Sequence, residues 1–595
     1  MSTLHDVLWN ITNDALKERA KLLGVKPAAL HKGALVDAVK QAFAGENLRA
    51  QWNALPPLAQ TALAEACHDL DRRCDPARFQ AKYGAKPPFS EEVPGAIPHS
   101  WDSRGKPTRL WAFFAPPGLE PYTCVPEDLA TRLREFVPAP AEATVNTSPD
   151  PPGGDDLWIR ETEYDALGEV MAVLRLAERG ELRASEKTGM PTPAGRKALE
   201  ACMPGGDFFP PEISSPPNRR EYEDEIGMIK PLAWSRLLLA AGLVSLSGGK
   251  SKLTPAGVKI LKTPPHQILR EVWTKWLATP LFDEFNRVDA IKGQSGKGHM
   301  TAKPPRRQAV CAALRACPAG AWIKADDFSF FMVAAGWTFE VSHNLWKLYL
   351  GEARYGSLAN EEHSGWEIVQ FRYVLCLLFE YAATLGIVDL AYVHPEGARD
   401  DFGGLWGTDE LQWLSRYDGL KSFRITPLGA FCLGMTADYQ PARALSSLEL
   451  SVSPDLRVQA VSGVAQPTDL LLLETWAEPL SDGLWRLDPV RGRDAVERGQ
   501  NAAEFAGLLQ RYDHQPLPEE VTAFLEACQR DGTALRSAGE AVFFDCRDAA
   551  TTGLIASHDG LSDLCFRCSN TRLAVPAANV AKFRKLVRAL GLGIV

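Results

Sequence analysis

Two short stretches carry the glycine and lysine combination that can cradle a phosphate. A P-loop needs G-x-x-x-x-G-K-[ST], so that backbone N–H groups wrap the β-phosphate while the hydroxyl holds Mg²⁺. In GGKS, Gly248–Ser251, the position five before Gly249 is Val244; in GQSGKG, Gly293–Gly298, Lys297 is followed by Gly298. Neither meets the requirement, and no acidic motor box of the DEAD or DEAH kind occurs. One CxxC pair, Cys565 and Cys568, has Cys546 and His558 upstream as further zinc ligands, but a lone knuckle in an apolar strand reads as buried cysteine. The carboxylate pairs Asp326-Asp327 and Asp400-Asp401 lack the [DE]-x-K partner strand of a metal-dependent nuclease, and the first pair suits the opening turn of a helix. No G-x-S-x-G nucleophile elbow exists. The sequence therefore predicts no catalytic residue, no metal, no cofactor and no enzyme.

Binding chemistry is better represented. Residues 290–325 hold Lys292, Lys297, Lys303, Arg306, Arg307, Arg315 and Lys324 without an acidic residue before the closing Lys324-Ala325. The first half, IKGQSGKGHMTAKPPRR, is glycine-rich and polar and is expected to be non-helical. Lysine and arginine on such a loop meet backbone phosphates, and glycine allows close approach. Lys292, Lys297, Lys303, Arg306 and Arg307 are thus the expected duplex contacts, with a solvated basic loop as the alternative. Trp322, Trp337, Trp346 and Tyr349 could stack bases but are better read as core.

These residues sit in a chain of 595, enough for about three to five domains. Apolar residues make up 45% and charged residues 23%, which excludes collagenous and wholly disordered classes. With 74 acidic against 65 basic residues the net charge is −9, so nucleic acid would be met by local patches rather than bulk charge. The opening MSTLHDVLWN lacks the pattern of a secretory signal, and the apolar stretch 373–393 is broken by Glu380, Gly386 and Asp389, as a buried helix and strand would be. Twelve irregularly spaced cysteines point to a reducing, cytoplasmic setting without a membrane.

The middle of the chain contains a degenerate repeat, at 173–199, 237–261 and 378–433. Each copy has an apolar helix, a glycine, a short strand, a polar tip, a second strand and Thr-Pro-x-Gly opening another apolar run. Glycine ends the helix, the strands pair as a hairpin, and Thr192, Thr254 and Thr426 cap helices begun by Pro193, Pro255 and Pro427. The set resembles three winged helix-turn-helix domains, with wing tips at Ser185–Met190 and Ser247–Lys252 and an insertion at 394–423 in the third. That resemblance implies phosphate contacts from Lys250 and Lys252 on the second wing.

Residues 12–43 form two amphipathic helices around an extended turn, with Leu16, Ala20, Leu23, Leu35, Val36 and Val39 inward, and resemble the SAP-like module, many members of which bind DNA. In the C-terminal part, LRVQAVSG and DLLLLETWAE read as strands, LWRLDP as a strand before a helix at 490–498, and AEFAGLLQRY and PEEVTAFLEAC as helices. AVFFDCRD, CFRCSNTRLAV and ANVAKFRKLVRALG follow. This order resembles the helicase-associated domain related to the N-terminal region of XPB-type DNA helicases. The expectation is an α+β, mainly helical chain: a helical domain over 1–137, a linker over 138–156, winged-helix domains over 157–275 and 276–440, and a helicase-associated domain over 448–595. The resemblance implies a DNA-binding accessory role beside a helicase in repair or defence, with a protein-interaction scaffold as the alternative.

Overall fold

The computed structural model describes every residue except 1–2, 27–30, 92–104, 117–123, 155, 204, 211–212, 214–225, 296–297, 361–364, 410, 442–447, 463–466, 482, 536 and 538. The chain forms two compact units, Met1–Leu445 with Gln466–Thr468, and Ser446–Ala465 with Asp469–Val595. Both combine helices with small antiparallel sheets, an α+β architecture.

The first unit opens with short helices around one apolar core. Leu16, Ala20 and Leu23 from Asn13–Leu22 and its C-cap meet Leu35, Val36 and Val39 of Lys32–Ala42, all buried as their helical spacing requires. The turn of the SAP-like expectation, 27–30, lies outside the described residues. The N-terminal helices do not stand apart: Pro76–Tyr83 packs on Ala325–Ala335, and the Arg78 Nε–H donates to the Ala334 carbonyl at 3.0 Å. The expected linker is also partly engaged, since Ser148 and Trp322 exchange backbone hydrogen bonds of 2.9 and 2.8 Å.

The repeat takes the same local form three times. Its first helices are Glu163–Glu178, Lys230–Ala240 and residues 366–382, the last partly wound in wider turns. They end at Gly180, Gly242 and Gly386, with φ of 70°, 68° and 70°. The next N–H reaches back each time, from Glu181 to Leu176, Leu243 to Leu238 and Ile387 to Ala382, closing carbonyls that the helix end leaves open. Thr192, Thr254 and Thr426 then accept from the N–H of Gly195, Gly257 and Gly429 at 3.2, 3.1 and 2.8 Å. Space dictates that last glycine: a Cβ there would lie 2.1, 2.1 or 2.0 Å from the carbonyl oxygen of Arg183, Leu243 or Ile387. The same three carbonyls accept from the N–H of the capping threonines, so strand and helix start are locked together in every copy.

In the third copy, Val388–Tyr392 and Leu420–Ile425 pair antiparallel at the centre of a four-stranded sheet, flanked by Trp158–Arg160 and Trp322–Lys324. The strand resumes at Leu420, so the insertion ends earlier than the 423 expected. Trp158–Arg160, placed by sequence in the first middle domain, completes the sheet of the second, and both ranges lie within the first compact unit.

In the second unit, Glu449–Val452, Arg457–Ser462, Leu484–Leu487 and Ala477–Ser481 lie in that spatial order, backed by Pro489–Glu497, Ala502–Asp513 and Glu519–Gly532. Trp476 stacks on Phe505 at 5.0 Å in this core. A second core lies under Ala541–Asp545, Arg572–Pro576 and Phe566–Arg567, with Val580–Ala589 closing it. One expectation is corrected here: DLLLLETWAE is not a strand. Pro467–Trp476 is helical and only Ala477–Ser481 is extended. Four consecutive leucines favour helix, and a short apolar run does not reveal its period.

Candidate nucleic-acid interface

Repeats one and two place their hairpins side by side. Val244–Ser247 pairs with Lys250–Leu253 across Gly248-Gly249, whose φ of 59° and 73° make the tight turn that matches strand twist. On the open edge of Lys250–Leu253 lies repeat one: Arg183 bridges to Lys250, the Ser251 N–H donates to the Leu182 carbonyl at 2.8 Å, and the Ala184 N–H to that of Gly249 at 3.2 Å. The hairpin tip of repeat one, Ser185–Met190, is closed by the Ser185 N–H to the Met190 carbonyl. The two parent helices are held by a buried polar cluster, in which the Lys230 Nζ lies 2.5 Å from Glu169 Oε1 and the Trp234 indole N–H donates to Glu169 Oε2 at 2.9 Å. Burial drives the Glu169 carboxyl up to about 7, against the opposing attraction of Lys230.

Strand alternation sorts the side chains of this small sheet into two faces. Leu182, Ala184 and Ser251 point inward and are buried. Arg183, Lys250, Lys252, Ser245 and Ser247 are exposed, with Arg183 beside Lys250, Lys250 beside Ser247, and Lys252 beside Ser245. Among the described residues none of the three cations makes an ion pair or side-chain hydrogen bond. Like charges directly opposite in a sheet repel, so Arg183 and Lys250 are a cost unless an anion joins them. At the tip, Glu186 accepts from the Gly249 N–H at 3.4 Å. Arg183 escaped the sequence reading because its partner strand belongs to another repeat.

The expected basic loop does not form one surface. Lys303–Arg315 is a helix rather than a loop; Pro304 and Pro305 sit in its first turn, where a missing N–H costs nothing. Arg306 and Arg307 are buried and cannot reach phosphate. Arg306 pairs with Asp283 at 2.9 Å and bonds the Thr301 and Val341 carbonyls. Arg307 directs all five N–H groups into the protein, to Glu284 and to the carbonyls of Trp276, Thr279 and Phe282. Lys303 Nζ donates to the Pro280 carbonyl at 3.1 Å, and Lys292 Nζ to that of Asp289 at 2.6 Å. Lys297 lies outside the described residues. Of the aromatics, Trp322 is core, Trp337 and Tyr349 are half-buried and Trp346 is exposed.

The three helices that precede the hairpins have no exposed residue: Glu163–Glu178, Lys230–Ala240 and 366–382 are buried or half-buried throughout. None of them can enter a major groove. What the repeats offer to solvent is hairpin, together with the helices Pro193–Glu200 and Pro255–Ile260 that follow the first two.

Among the described residues no three His, Cys, Asp or Glu side chains converge as a metal site would require, and no helix is long and apolar enough to cross a membrane. Asp326 and Asp327 occupy the first turn of Ala325–Ala335, and Asp401 pairs with buried Arg372 at 2.5 Å. The chain matches no protein-family model and no curated protein.

Proposed function

We propose that this chain is a non-enzymatic DNA-binding accessory protein, in which winged-helix repeats grip the backbone of duplex DNA through Arg183, Lys250 and Lys252. The observation that carries the reading is the row of unpaired cations on the outward face of two joined hairpins, in a chain whose net charge is −9. Three phosphate contacts release counterions and supply sequence-independent affinity. The helices that precede the hairpins are buried, which favours recognition of backbone over sequence. The resemblance of the C-terminal unit to helicase-associated domains supports action beside a helicase, within the cytoplasm. Competition between duplexes of unrelated sequence tests this: equal displacement of a labelled duplex is expected, and a strong preference for one sequence would oppose it.

A second reading has its own observation. Helix 366–382 is buried from Ile368 onward, so the third repeat packs within its own unit, which suits a scaffold whose winged helices bind proteins. A folded protein with no affinity for duplex DNA at low salt would favour that alternative.

A further inference from the structure

A cavity of about 580 Å³ opens in the first unit between the repeat-one hairpin and the segments around residues 287–292 and 407–416. Its polar lining is cationic: Arg196, Arg287, Lys292 and Arg416, with Asp289 the only carboxylate among the described residues. Arg287 is fixed most firmly. Its Nε–H donates to Glu380 at 2.7 Å and to Tyr417 at 3.2 Å, and an Nη2 hydrogen to the Met228 carbonyl at 2.9 Å. Nη1 makes no hydrogen bond among the described residues. Burial alone would lower this guanidinium, but Glu380 and Tyr417 outweigh it and hold it charged. Arg196 uses only Nε on Glu200, at 2.6 Å, so both of its Nη groups are open. Arg416 is held by Asp289 and the Ile226 carbonyl.

Charge arithmetic limits the ligand. Arg196, Arg287 and Arg416 each have a carboxylate partner, whereas Lys292 has only the backbone carbonyl of Asp289. One uncompensated positive charge, with open guanidinium donors beside it, suits a single phosphate and not a polyphosphate. Gly227, Gly351 and Gly407 also line the cavity, with φ of 64°, 59° and 78°, and Gly351 and Gly407 pack against each other: a Cβ on either would lie 3.2 or 3.1 Å from the Cα of the other. Met228, Leu411 and Trp413 add apolar wall, and the volume far exceeds one phosphate, so the remaining space fits an organic body.

We infer that this cavity binds a phosphomonoester with a sugar-sized body, its phosphate between Lys292, Arg196 and Arg287. The chemistry is shared by a free sugar phosphate and the 5′-phosphate of a nucleic-acid end, and calorimetric titration of the full chain separates them. The probes are ribose 5-phosphate against ribose, and a 5′-phosphorylated thymidine trinucleotide against its 5′-hydroxyl form. Saturable binding of ribose 5-phosphate alone assigns a free metabolite, and binding of the phosphorylated trinucleotide assigns a strand end. In either case the Lys292→Ala, Arg196→Ala variant weakens binding at least tenfold with an unchanged melting temperature. Should that variant fail to fold, Lys292→Met alone gives the same readout. Failure of both phosphorylated probes to bind, equal binding of their unphosphorylated forms, or unchanged affinity in the folded variant would overturn the inference.

Discussion

Arg307 and Glu284 form an ion pair at 2.7 Å with neither side chain exposed to solvent. Glu284 also accepts from the Tyr373 hydroxyl at 3.0 Å, and the Arg307 guanidinium lies 4.6 Å over the Trp276 ring. The pair ties the start of helix Lys303–Arg315 to the segment after Pro265–Ala278, and it diverts one of the chain's most conspicuous basic clusters from the surface.

Arg307→Ala should therefore damage the fold rather than DNA affinity. It strands Glu284 as a buried carboxylate and opens five hydrogen bonds, and breaking a buried pair from one side costs about 3–5 kcal/mol. A chemical-denaturation midpoint unchanged from the parent would contradict the burial.

The Thr-Pro-x-Gly element makes a graded prediction. Thr254→Ala removes one cap hydrogen bond and should cost about 1 kcal/mol. Gly429→Ala should cost more, because a Cβ 2.0 Å from the Ile387 carbonyl forces the helix away from the fully buried strand Val388–Tyr392. Thermal unfolding of both variants gives the order; equal destabilisation would mean that the third repeat yields at this point.

Glu169 sets a pH dependence. Its folded carboxyl is raised to about 7 by burial, above the ordinary value near 4.5, so its contribution to stability is present below the unfolded value and lost as pH rises through 7. Glu169→Gln has no such titration. The stability difference, parent minus variant, should fall by about 3 kcal/mol between pH 4.5 and 8. A difference that stays constant or grows with pH would show that Lys230 keeps Glu169 ionised throughout.

The repeat was legible in the sequence because its signals are local. A glycine closing a helix, a threonine cap, a proline at the first position and a glycine facing a carbonyl all act within a few residues. The fate of the basic stretch was not legible, because the acids that neutralise Arg306 and Arg307 are Asp283 and Glu284, outside any window that reads as acid-free. The glycine-rich, polar composition of the stretch suggested a loop, whereas Pro304 and Pro305 open a helix ahead of the arginines. Lys250 and Lys252 were readable as an exposed tip, but the row they form with Arg183 depends on pairing between two repeats, which no local pattern encodes. The same limit hid the shared sheet, whose edge strand Trp158–Arg160 comes from far upstream.

Duplex binding through the paired hairpins is tested most directly by the salt dependence of affinity. Fluorescence anisotropy with a labelled duplex should give a linear fall of log K with log salt for the parent chain. Arg183→Glu, Lys250→Glu and Lys252→Glu together should weaken binding at low salt and reduce the slope by about 0.9 for each phosphate that is no longer neutralised. All three side chains are exposed, so the fold should hold, as the melting temperature will verify. A folded triple variant that keeps the parent's affinity and slope would contradict the account.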